Sequence, residues 1–186
     1  MNRVLIIRHA ATDMIGTFCG HSNPPINERG RRQIKTLMDT INGEEISCIF
    51  TSDLERAAGT AGTLAEAFGV PCIKKRDLRE INFGSWEGLT WKRIQEQDEA
   101  YARRWTETYP HLPAPGGESF ADFQTRVIAE VTEILNSSSR QQSAIVTHGG
   151  VMRVVLQAMC GLAEDEAWEL TKPYCSFFRC PREVTR

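Results

Sequence analysis

Two apolar runs in this sequence each end at a histidine that is followed by small residues. Val4–Ile7 leads into Arg8-His9-Ala10, and Ala144–Thr147 leads into His148-Gly149-Gly150. Short apolar runs bounded by polar or small residues are typical of buried strands. Strand-like and helix-like segments alternate from the first run onward as β-α-β-α-β, an order that indicates a parallel sheet with right-handed crossovers. The sequence therefore predicts an α/β fold with a mainly parallel sheet.

Apolar periodicity and turn residues predict the individual elements. The predicted strands are Val4–Ile7, Ile46–Thr51, Val70–Ile73, Ala144–Thr147 and Tyr174–Cys180. The predicted helices are Asn27–Ile41, Asp53–Phe68, Leu89–Thr108, Ser119–Leu135 (with Ser119 and Asp122 as a capping box) and Val151–Met159. The predicted loops are Tyr109–Gly117 and Ser137–Ser139. Since no repeat, linker or low-complexity tract interrupts this order, we expect a single domain over residues 1–186 with a cap or lid segment at about 88–118.

Composition and charge exclude several classes of protein. Hydrophobic residues make up 41% of the 186 residues, which is ordinary for a globular domain with one sizeable core. Lys plus Arg number 22 against 24 for Asp plus Glu, a net charge of -2 that argues against a nucleic-acid partner. No apolar stretch is long enough for a signal h-region or a membrane span. The six cysteines form no C-x-x-C pair, so we expect neither a zinc ribbon nor a redox motif, but reduced thiols in the cytoplasm.

The two histidines belong to a predicted phosphate pocket. Ligands of open parallel sheets bind beyond the carboxyl ends of the strands, where both His9 and His148 would lie. Gly149 follows His148 and opens a helix, whose N-terminal N–H groups favour an anion. Arg56 lies in the first turn of the helix that follows the second strand. Together with Arg8 it would provide planar guanidinium groups, which suit phosphate oxygens.

These residues resemble the histidine phosphatase superfamily, the phosphoglycerate mutase-like proteins. The resemblance runs in order along the chain through blocks that carry Arg8-His9, Arg56, Leu78–Gly88 with Glu80, Pro115–Ser119 with Arg126-Val127, and His148. It implies a three-layer α/β/α sandwich and a metal-independent phosphoric monoester hydrolase without a cofactor. The implied site residues are catalytic His9, Glu80 and His148, phosphate-binding Arg8, Arg56 and Gly149, and substrate-binding Thr12, Gly20 and His21.

The chain most resembles short members of the superfamily, especially α-ribazole phosphatases of cobalamin assembly, and other short broad-range phosphatases look similar as well. The segment Gly20–Gly30, the Phe83–Gly88 block and the short cap carry this similarity. Three positions depart from the family pattern. Ala10 replaces the usual glycine, Ala11 stands where glutamate is common, and Ile15 stands where many members have an asparagine that donates to phosphate.

The resemblance also implies a mechanism and a partner. His9 would attack phosphorus and become phosphohistidine, while Arg8, Arg56 and His148 neutralise the phosphoryl oxygens. Glu80 would protonate the leaving oxygen and then activate water. The partner would be a small phosphate ester, with α-ribazole 5′-phosphate as the leading candidate, and the chain could form a homodimer.

Several alternatives remain open from the sequence alone. The chain could be a mutase-type phosphotransferase, although such mutases tend to be longer, or a weakly active phospholigand-binding protein. Arg56 could be a surface residue paired with Glu55 or Asp53, and Glu80 could be a solvated loop acid. His21 is more often a surface loop residue than a substrate ligand.

Overall fold

The computed structural model describes residues 3–137 and 142–181, and its elements follow the predicted order with one addition. The strands in these ranges are β1 (Arg3–Arg8), β2 (Ile46–Thr51), β3 (Cys72–Lys74), β4 (Gln142–Thr147) and β5 (Phe177–Pro181). The α-helices are α1 (Glu28–Ile41), α2 (Glu55–Phe68), α3 (Trp91–Gln97), α4 (Glu99–Thr108), α5 (Phe120–Ser137), α6 (Gly149–Cys160) and α7 (Glu164–Thr171). Short 3-10 turns span Arg76–Leu78 and Gly84–Trp86.

The five strands form one sheet in the order β3-β2-β4-β1-β5. All neighbouring pairs are parallel except β1 with β5, which run antiparallel. The continuous apolar runs of β1 and β4 fit this position, because central strands of a parallel sheet are covered on both faces. The prediction of a mainly parallel α/β sheet is therefore confirmed.

The alternating side chains of β1 enter two separate cores. Val4 and Ile6 belong to a cluster that includes Val127 of α5 and Val151 of α6. Leu5 and Ile7 belong to a second cluster, with Ile34 of α1 and Ala57 of α2. Because successive strand residues point to opposite faces, α1 and α2 cover one face of the sheet while α5 and α6 cover the other. This arrangement is the expected three-layer α/β/α sandwich.

A third cluster lies outside the sheet and contains most of the aromatic residues of the predicted cap. Its buried members are Trp86, Ile94, Ala102 and Ala114, with Phe18, Phe83, Leu89, Trp91, Tyr101 and Trp105 packed against them. The predicted helix Leu89–Thr108 is wrong in one respect, since it is interrupted at Asp98. The Asp98 side chain accepts a hydrogen bond from the N–H of Tyr101 and so begins a new helix, α4, as an N-cap.

Other differences concern the ends of elements and one helix. The third strand covers Cys72–Lys74 rather than Val70–Ile73, and the last covers Phe177–Pro181 rather than Tyr174–Cys180. The sequence interpretation missed α7 altogether. The predicted turn Ser137–Ser139 lies partly outside the described residues. None of the helices in the described ranges combines the length and apolar character that a bilayer crossing requires.

Candidate active site

The carboxyl ends of β1, β2 and β4 meet at one edge of the sheet, because these strands are parallel neighbours. His9 directly follows β1 and His148 directly follows β4. Their ring centroids lie 5.1 Å apart, and the residues are 6% and 0% exposed respectively. The two histidines that the sequence singled out therefore form one buried pair.

His9 is held in a defined tautomer. Its Nδ1 lies 2.7 Å from the carbonyl oxygen of Ala10, which can only accept a hydrogen bond, so Nδ1 carries the proton. Nε2 then keeps its lone pair and accepts a hydrogen bond from Nε of Arg56 at 3.3 Å. Burial, followed by the charges of Arg56 and Arg8, places the pKa of His9 well below its usual value. The arrangement keeps His9 neutral, with Nε2 as its unprotonated nitrogen.

Arg56 is 1% exposed, which rules out the alternative of a surface residue. Its Nη1 donates to the carbonyl oxygen of Ser22 at 2.6 Å. Its Nη2 donates to the carbonyl oxygens of Gly20 at 2.7 Å and Cys19 at 3.2 Å. With both terminal nitrogens anchored on the loop, Nε is aimed at His9. The guanidinium is therefore a fixed cation beside the nucleophile candidate.

The alternative ion pair of Arg56 with Asp53 is also wrong, because Asp53 pairs with another arginine. Arg79 Nε and Nη2 each lie 2.6 Å from a carboxylate oxygen of Asp53. This bidentate pair joins the start of α2 to the segment that carries Glu80.

His148 and Arg8 contribute polar atoms that have no partner among the described residues. Both ring nitrogens of His148 and Nε of Arg8 are buried and without a hydrogen bond. Burial, followed by the charges of Arg56, lowers the pKa of His148 well below its usual value, so the ring is neutral. Buried polar atoms without partners are costly, and an oxyanion at this edge would satisfy the donors among them.

Arg8 lies between the sheet edge that carries the two histidines and the last part of the described chain. Its Nη1 donates to the carbonyl oxygen of Thr171 at 2.9 Å and also to that of Lys172. Its guanidinium carbon lies 4.2 Å from the ring centroid of Tyr174. On the other side, a Cβ added to Gly149 would lie 3.6 Å from Nε of Arg8. Arg8 is therefore fixed by the segment after α7 while its unpartnered Nε lies next to the start of α6.

Glu80 is tied to the same helix start rather than solvated as a loop acid. Its Oε2 accepts from the N–H of Gly150 at 2.8 Å, and its Oε1 accepts from the N–H of Ile81 at 3.0 Å. Arg126 holds the surrounding backbone, since its guanidinium donates to the carbonyl oxygens of residues 77, 79 and 80 and pairs with Glu118. Glu80 thus lies at the N-terminus of α6, where a carboxylate is favoured.

The three predicted substrate-binding residues have different surroundings. Gly20 contributes its carbonyl to Arg56 and its N–H to Glu87, so it belongs to the support of the site. His21 has a buried Nε2 without a partner, and burial followed by nearby arginines lowers its pKa. Thr12 is 2% exposed, and its hydroxyl accepts from the N–H of Met14 within its own turn.

The three residues that depart from the family pattern are two buried alanines, Ala10 and Ala11, and the exposed Ile15. Ala10 is fully buried in the core beneath α1 and α2, and its N–H donates to Thr60 Oγ1. Ala11 is also fully buried, and its N–H donates to Gln33 Oε1. Ile15 is 48% exposed in the turn after Thr12. The methyl group of Ala10 therefore packs into the core.

Three residues support the site although the sequence assigned them no role in it, namely Glu87, Arg126 and Tyr174. Glu87 accepts a hydrogen bond from the N–H of Phe83 within its own loop. It also binds the loop that anchors Arg56. All three act mainly on backbone groups or on another side chain, so a sequence motif alone does not reveal their targets.

A cavity of about 620 Å³ adjoins the site at Glu80. Its lining includes Glu80 and Gly150, residues of the predicted cap segment 88–118, and residues of α5, α6 and α7. Its aromatic lining residues are Phe18, Phe83, Trp105, Tyr109, Phe120, Phe123 and Trp168. Among the described residues that line it, Arg153 is the only Lys or Arg, and its guanidinium carbon lies 4.6 Å from the ring centroid of Trp168. The arrangement offers an apolar, ring-lined space beside a carboxyl group.

No three His, Cys, Asp or Glu side chains within 3–137 and 142–181 come together in a way that could hold a metal ion. The positive charge at the edge comes from Arg8 and Arg56, and the guanidinium of Arg153 also lies near Gly149. The chemistry that this site can perform is therefore that of a neutral imidazole nucleophile with fixed cations and a nearby carboxyl group.

Comparisons with known proteins find several phosphatases that resemble this chain. Phosphoserine phosphatase 1 of Hydrogenobacter thermophilus is 30% identical over 170 residues, which cover 90% of this chain and 81% of that protein. The adenosylcobalamin/alpha-ribazole phosphatase of Escherichia coli is 26% identical over 168 residues, which cover 89% of this chain and 83% of that protein. The alpha-ribazole phosphatase structure from Shigella flexneri has a TM-score of 0.82 at 26% identity, covering 90% of this chain and 84% of that one.

These similarities confirm the predicted fold and the prediction that the chain is a phosphatase enzyme. Residues 4–183 match the sequence profile of the histidine phosphatase superfamily (branch 1). The matched range contains the histidine pair, both arginines and Glu80. The chain therefore belongs to the histidine phosphatase superfamily.

Proposed function

We propose that this protein hydrolyses a small phosphorylated metabolite through a phosphohistidine on His9, with α-ribazole 5′-phosphate as the leading substrate. The observation that carries the proposal is the state of the His9 ring. The carbonyl of Ala10 fixes the proton on Nδ1, and the lone pair of Nε2 lies beside Arg56. A nucleophilic histidine needs this combination of a fixed tautomer and a neighbouring cation for the incoming phosphate.

The phosphoryl group binds among Arg8, Arg56, His148 and the start of α6 at Gly149. Arg56 Nε exchanges its 3.3 Å contact with His9 for a phosphoryl oxygen, which frees the lone pair for attack. The unpartnered Nε of Arg8 and a ring nitrogen of His148 donate to further oxygens. Charge-assisted bonds of this kind stabilise the phosphoryl group most as its charge shifts in the transition state.

The reaction then proceeds in two displacements. In the first, His9 Nε2 bonds to phosphorus, the bond to the leaving oxygen breaks, and protonated Glu80 gives that oxygen its proton. In the second, Glu80 takes a proton from water, the water oxygen bonds to phosphorus, and the phosphorus–nitrogen bond breaks to release phosphate. The position of Glu80 between the phosphate edge and the cavity supports this role. No step requires a metal ion, since the arginines balance the charge.

The aromatic cavity beside Glu80 supports an alcohol with a large apolar or aromatic part. The leaving oxygen must lie near Glu80, and beyond it the lining is dominated by rings such as Trp105, Tyr109 and Trp168. Rings of this kind stack on flat heterocycles and contribute apolar contact area. A benzimidazole nucleoside such as α-ribazole meets this requirement better than a small zwitterion does.

Phosphoserine is the second candidate substrate. It is favoured by the 30% identity to phosphoserine phosphatase 1 of Hydrogenobacter thermophilus and by Arg153, whose guanidinium could pair with the carboxylate of serine.

A mutase-type transfer and a weakly active phospholigand-binding role remain as alternatives from the sequence. The segment 88–118 is proposed as the cap over the cavity, and a cytoplasmic homodimer remains a proposal as well.

A phosphate-release screen tests the proposal. The substrates are α-ribazole 5′-phosphate, nucleoside and sugar phosphates and phosphoserine, each with and without EDTA, and His9→Ala serves as the inactive control. We expect turnover that resists EDTA and is fastest for esters of aromatic nucleosides.

Arg153→Met separates the two candidate substrates, because it should impair phosphoserine turnover selectively if the carboxylate binds there. Preferential turnover of phosphoserine would reassign the substrate, and loss of activity in EDTA with recovery in Mg²⁺ would contradict the mechanism.

A further inference from the structure

We propose that Glu87 is a positioning residue, which holds Arg56 against His9 through the loop Cys19–Ser22. The inference deepens the proposed function, because it assigns the support of the proposed phosphate-binding cation. In the described contacts Glu87 does not touch His9, and its one contact with the cavity lining is the hydrogen bond from the N–H of Phe83. Its influence would be exerted entirely through the backbone of the loop.

The Glu87 carboxylate collects five hydrogen bonds, four of them from this loop. Oε2 accepts from the N–H of Gly20 at 3.1 Å, the N–H of Ser22 at 2.9 Å and the hydroxyl of Ser22 at 2.6 Å. Oε1 accepts from the N–H of His21 at 2.7 Å and from that of Phe83 at 3.0 Å. Three consecutive backbone N–H groups therefore converge on one carboxylate.

The carbonyl groups of the same loop face the other way, toward Arg56. Those of Cys19, Gly20 and Ser22 accept from its two terminal nitrogens, and this leaves Nε for His9. Consecutive peptide groups thus connect Glu87 on one side with Arg56 on the other. If the N–H groups lose their common acceptor, the carbonyls that fix the guanidinium lose their orientation.

The loop also has little freedom to shift by itself. A Cβ added to Gly20 would lie 2.0 Å from the carbonyl oxygen of Ile81 and 2.4 Å from Oε1 of Glu87. Gly20 is therefore seated directly on the segment that follows Glu80. The Glu87 carboxylate joins this segment to the loop. The segment after Glu80 and the loop that anchors Arg56 are therefore held by the same group.

The charge of Glu87 is itself stabilised by these contacts. Burial would raise the pKa of Glu87, but the hydrogen bonds from Ser22, Phe83 and His21 outweigh it and keep the pKa below the usual value. The group is an anion at neutral pH, and an anion is the acceptor that several backbone donors require. A neutral amide of the same size presents donors on one side and cannot satisfy them all.

His9 provides a readout that a purely structural role would not change. The charged or titratable groups that face its ring are Arg8, Arg56, His148 and Tyr174. Burial lowers the pKa of His9 most, followed by the charge of Arg56. If Arg56 withdraws from the ring while burial and Arg8 remain, the pKa of His9 must rise.

The test compares Glu87→Gln with Glu96→Gln in the full chain. Glu96 lies on α3 and forms only exposed ion pairs with Lys92 and Arg93, so its variant controls for loss of a cap carboxylate. The measurements are the His9 pKa by NMR and the dissociation constant of inorganic phosphate by titration. For Glu87→Gln we expect a higher His9 pKa and phosphate affinity weaker by roughly ten- to a hundredfold, the worth of a charge-assisted hydrogen bond. Glu96→Gln should match the parent protein.

A double-variant cycle with Arg56→Met decides whether Glu87 acts through Arg56. If it does, Glu87→Gln adds little to the loss of phosphate affinity already caused by Arg56→Met. Full additivity, or weakened stability with no change in the His9 pKa, would overturn the inference. If Glu87→Gln does not fold, Ser22→Ala removes one of the five donors and should shift both quantities in the same direction, and unchanged values would again overturn it. Neither measurement needs turnover, so an inactive parent protein would contradict the proposed function without affecting this test.

Discussion

The carboxylate of Glu80 accepts a hydrogen bond from the backbone N–H of Gly150 at 2.8 Å, and this contact joins the segment after β3 to the first turn of α6. The same turn follows directly from His148. The proposed acid and the proposed phosphate pocket are therefore connected by a single helix N-terminus.

We expect Glu80→Gln to affect substrates according to their leaving groups. An alkoxide is strongly basic and needs a proton as it departs, so turnover of an alkyl phosphate should fall by roughly 10²–10⁴-fold. A nitrophenolate leaves without a proton, so phosphoenzyme should still form from p-nitrophenyl phosphate and should accumulate because its hydrolysis lacks the base. Rapid-quench kinetics would show this as a burst, while His9→Ala should form no phosphoenzyme from either substrate. Equal losses of the first step on both substrates would remove Glu80 from the role of acid.

Adjacent glycines of α6 provide a second, independent test of Glu80. A Cβ at position 150 would lie 2.1 Å from Glu80 Oε1, whereas one at position 149 would have its nearest contact at 3.5 Å, with Arg153 Nη1. Gly150→Ala should therefore displace the flexible carboxylate at small cost in stability and reproduce the leaving-group dependence of Glu80→Gln. Gly149→Ala keeps its N–H and leaves Glu80 in place, so any loss of activity should be similar for the two kinds of substrate. Comparing kcat for alkyl and aryl phosphates in both variants checks this, and similar behaviour of the two would contradict it.

Ile15→Asn restores the side chain that many family members have at this position. Ile15 is 48% exposed, so little apolar contact is lost. If the turn can bring the amide to the phosphate, the new hydrogen bond should stabilise the complex by about 1.5–3 kcal/mol. Inhibition by inorganic phosphate would then become stronger by about ten- to a hundredfold. An unchanged inhibition constant would mean that the turn keeps residue 15 away from the pocket.

The stability of the protein should decrease as the pH falls below about 6.5, the ordinary pKa of histidine. Burial lowers the pKa of His9 and of His148 well below that value, so the unfolded chain binds protons that the folded chain excludes. Between pH 6.5 and pH 5, each of the two rings should lower the free energy of unfolding by at most about 2 kcal/mol. The pKa of Asp53 is lowered mainly by its hydrogen bond with Arg79, so its contribution is lost only at still lower pH. Thermal melts across this pH range measure the effect. The variant His148→Gln has one fewer buried imidazole to protonate, so its melting temperature should fall less with decreasing pH than that of the parent protein.

Cys160 should be the thiol most reactive toward iodoacetamide near neutral pH. Its Sγ lies 3.7 Å from that of Cys180, and the hydrogen bond from Cys180 lowers the pKa of Cys160 to about 7. Only the thiolate reacts, so peptide mapping after brief labelling should find Cys160 modified first. Cys180→Ala removes the donor and should slow this labelling at pH 7, and an unchanged rate would contradict the pairing.

The strand-end histidines could be predicted from the sequence because parallel strands bring their carboxyl ends to a common edge. The break at Asp98 could not, since an aspartate within a helical pattern shows its preference for an N-cap only when the chain turns there. The acidic segment that forms α7 has too short an apolar pattern to indicate a helix. The roles of Glu87 and Arg126 could not be predicted for a different reason, because their partners are mainly backbone groups distant in sequence, which carry no residue-specific signal.

The position of β1 in the sheet has a consequence for the order in which the protein can become active. β1 lies between β4 and β5, which begin at Gln142 and Phe177, and Arg8 is anchored on carbonyls of Thr171 and Lys172. A ribosome therefore produces His9 long before it produces the strands and carbonyls that hold its neighbourhood together. A nascent chain carries the proposed nucleophile but not the proposed pocket, so phosphate esters can meet a complete site only after β5 has been translated.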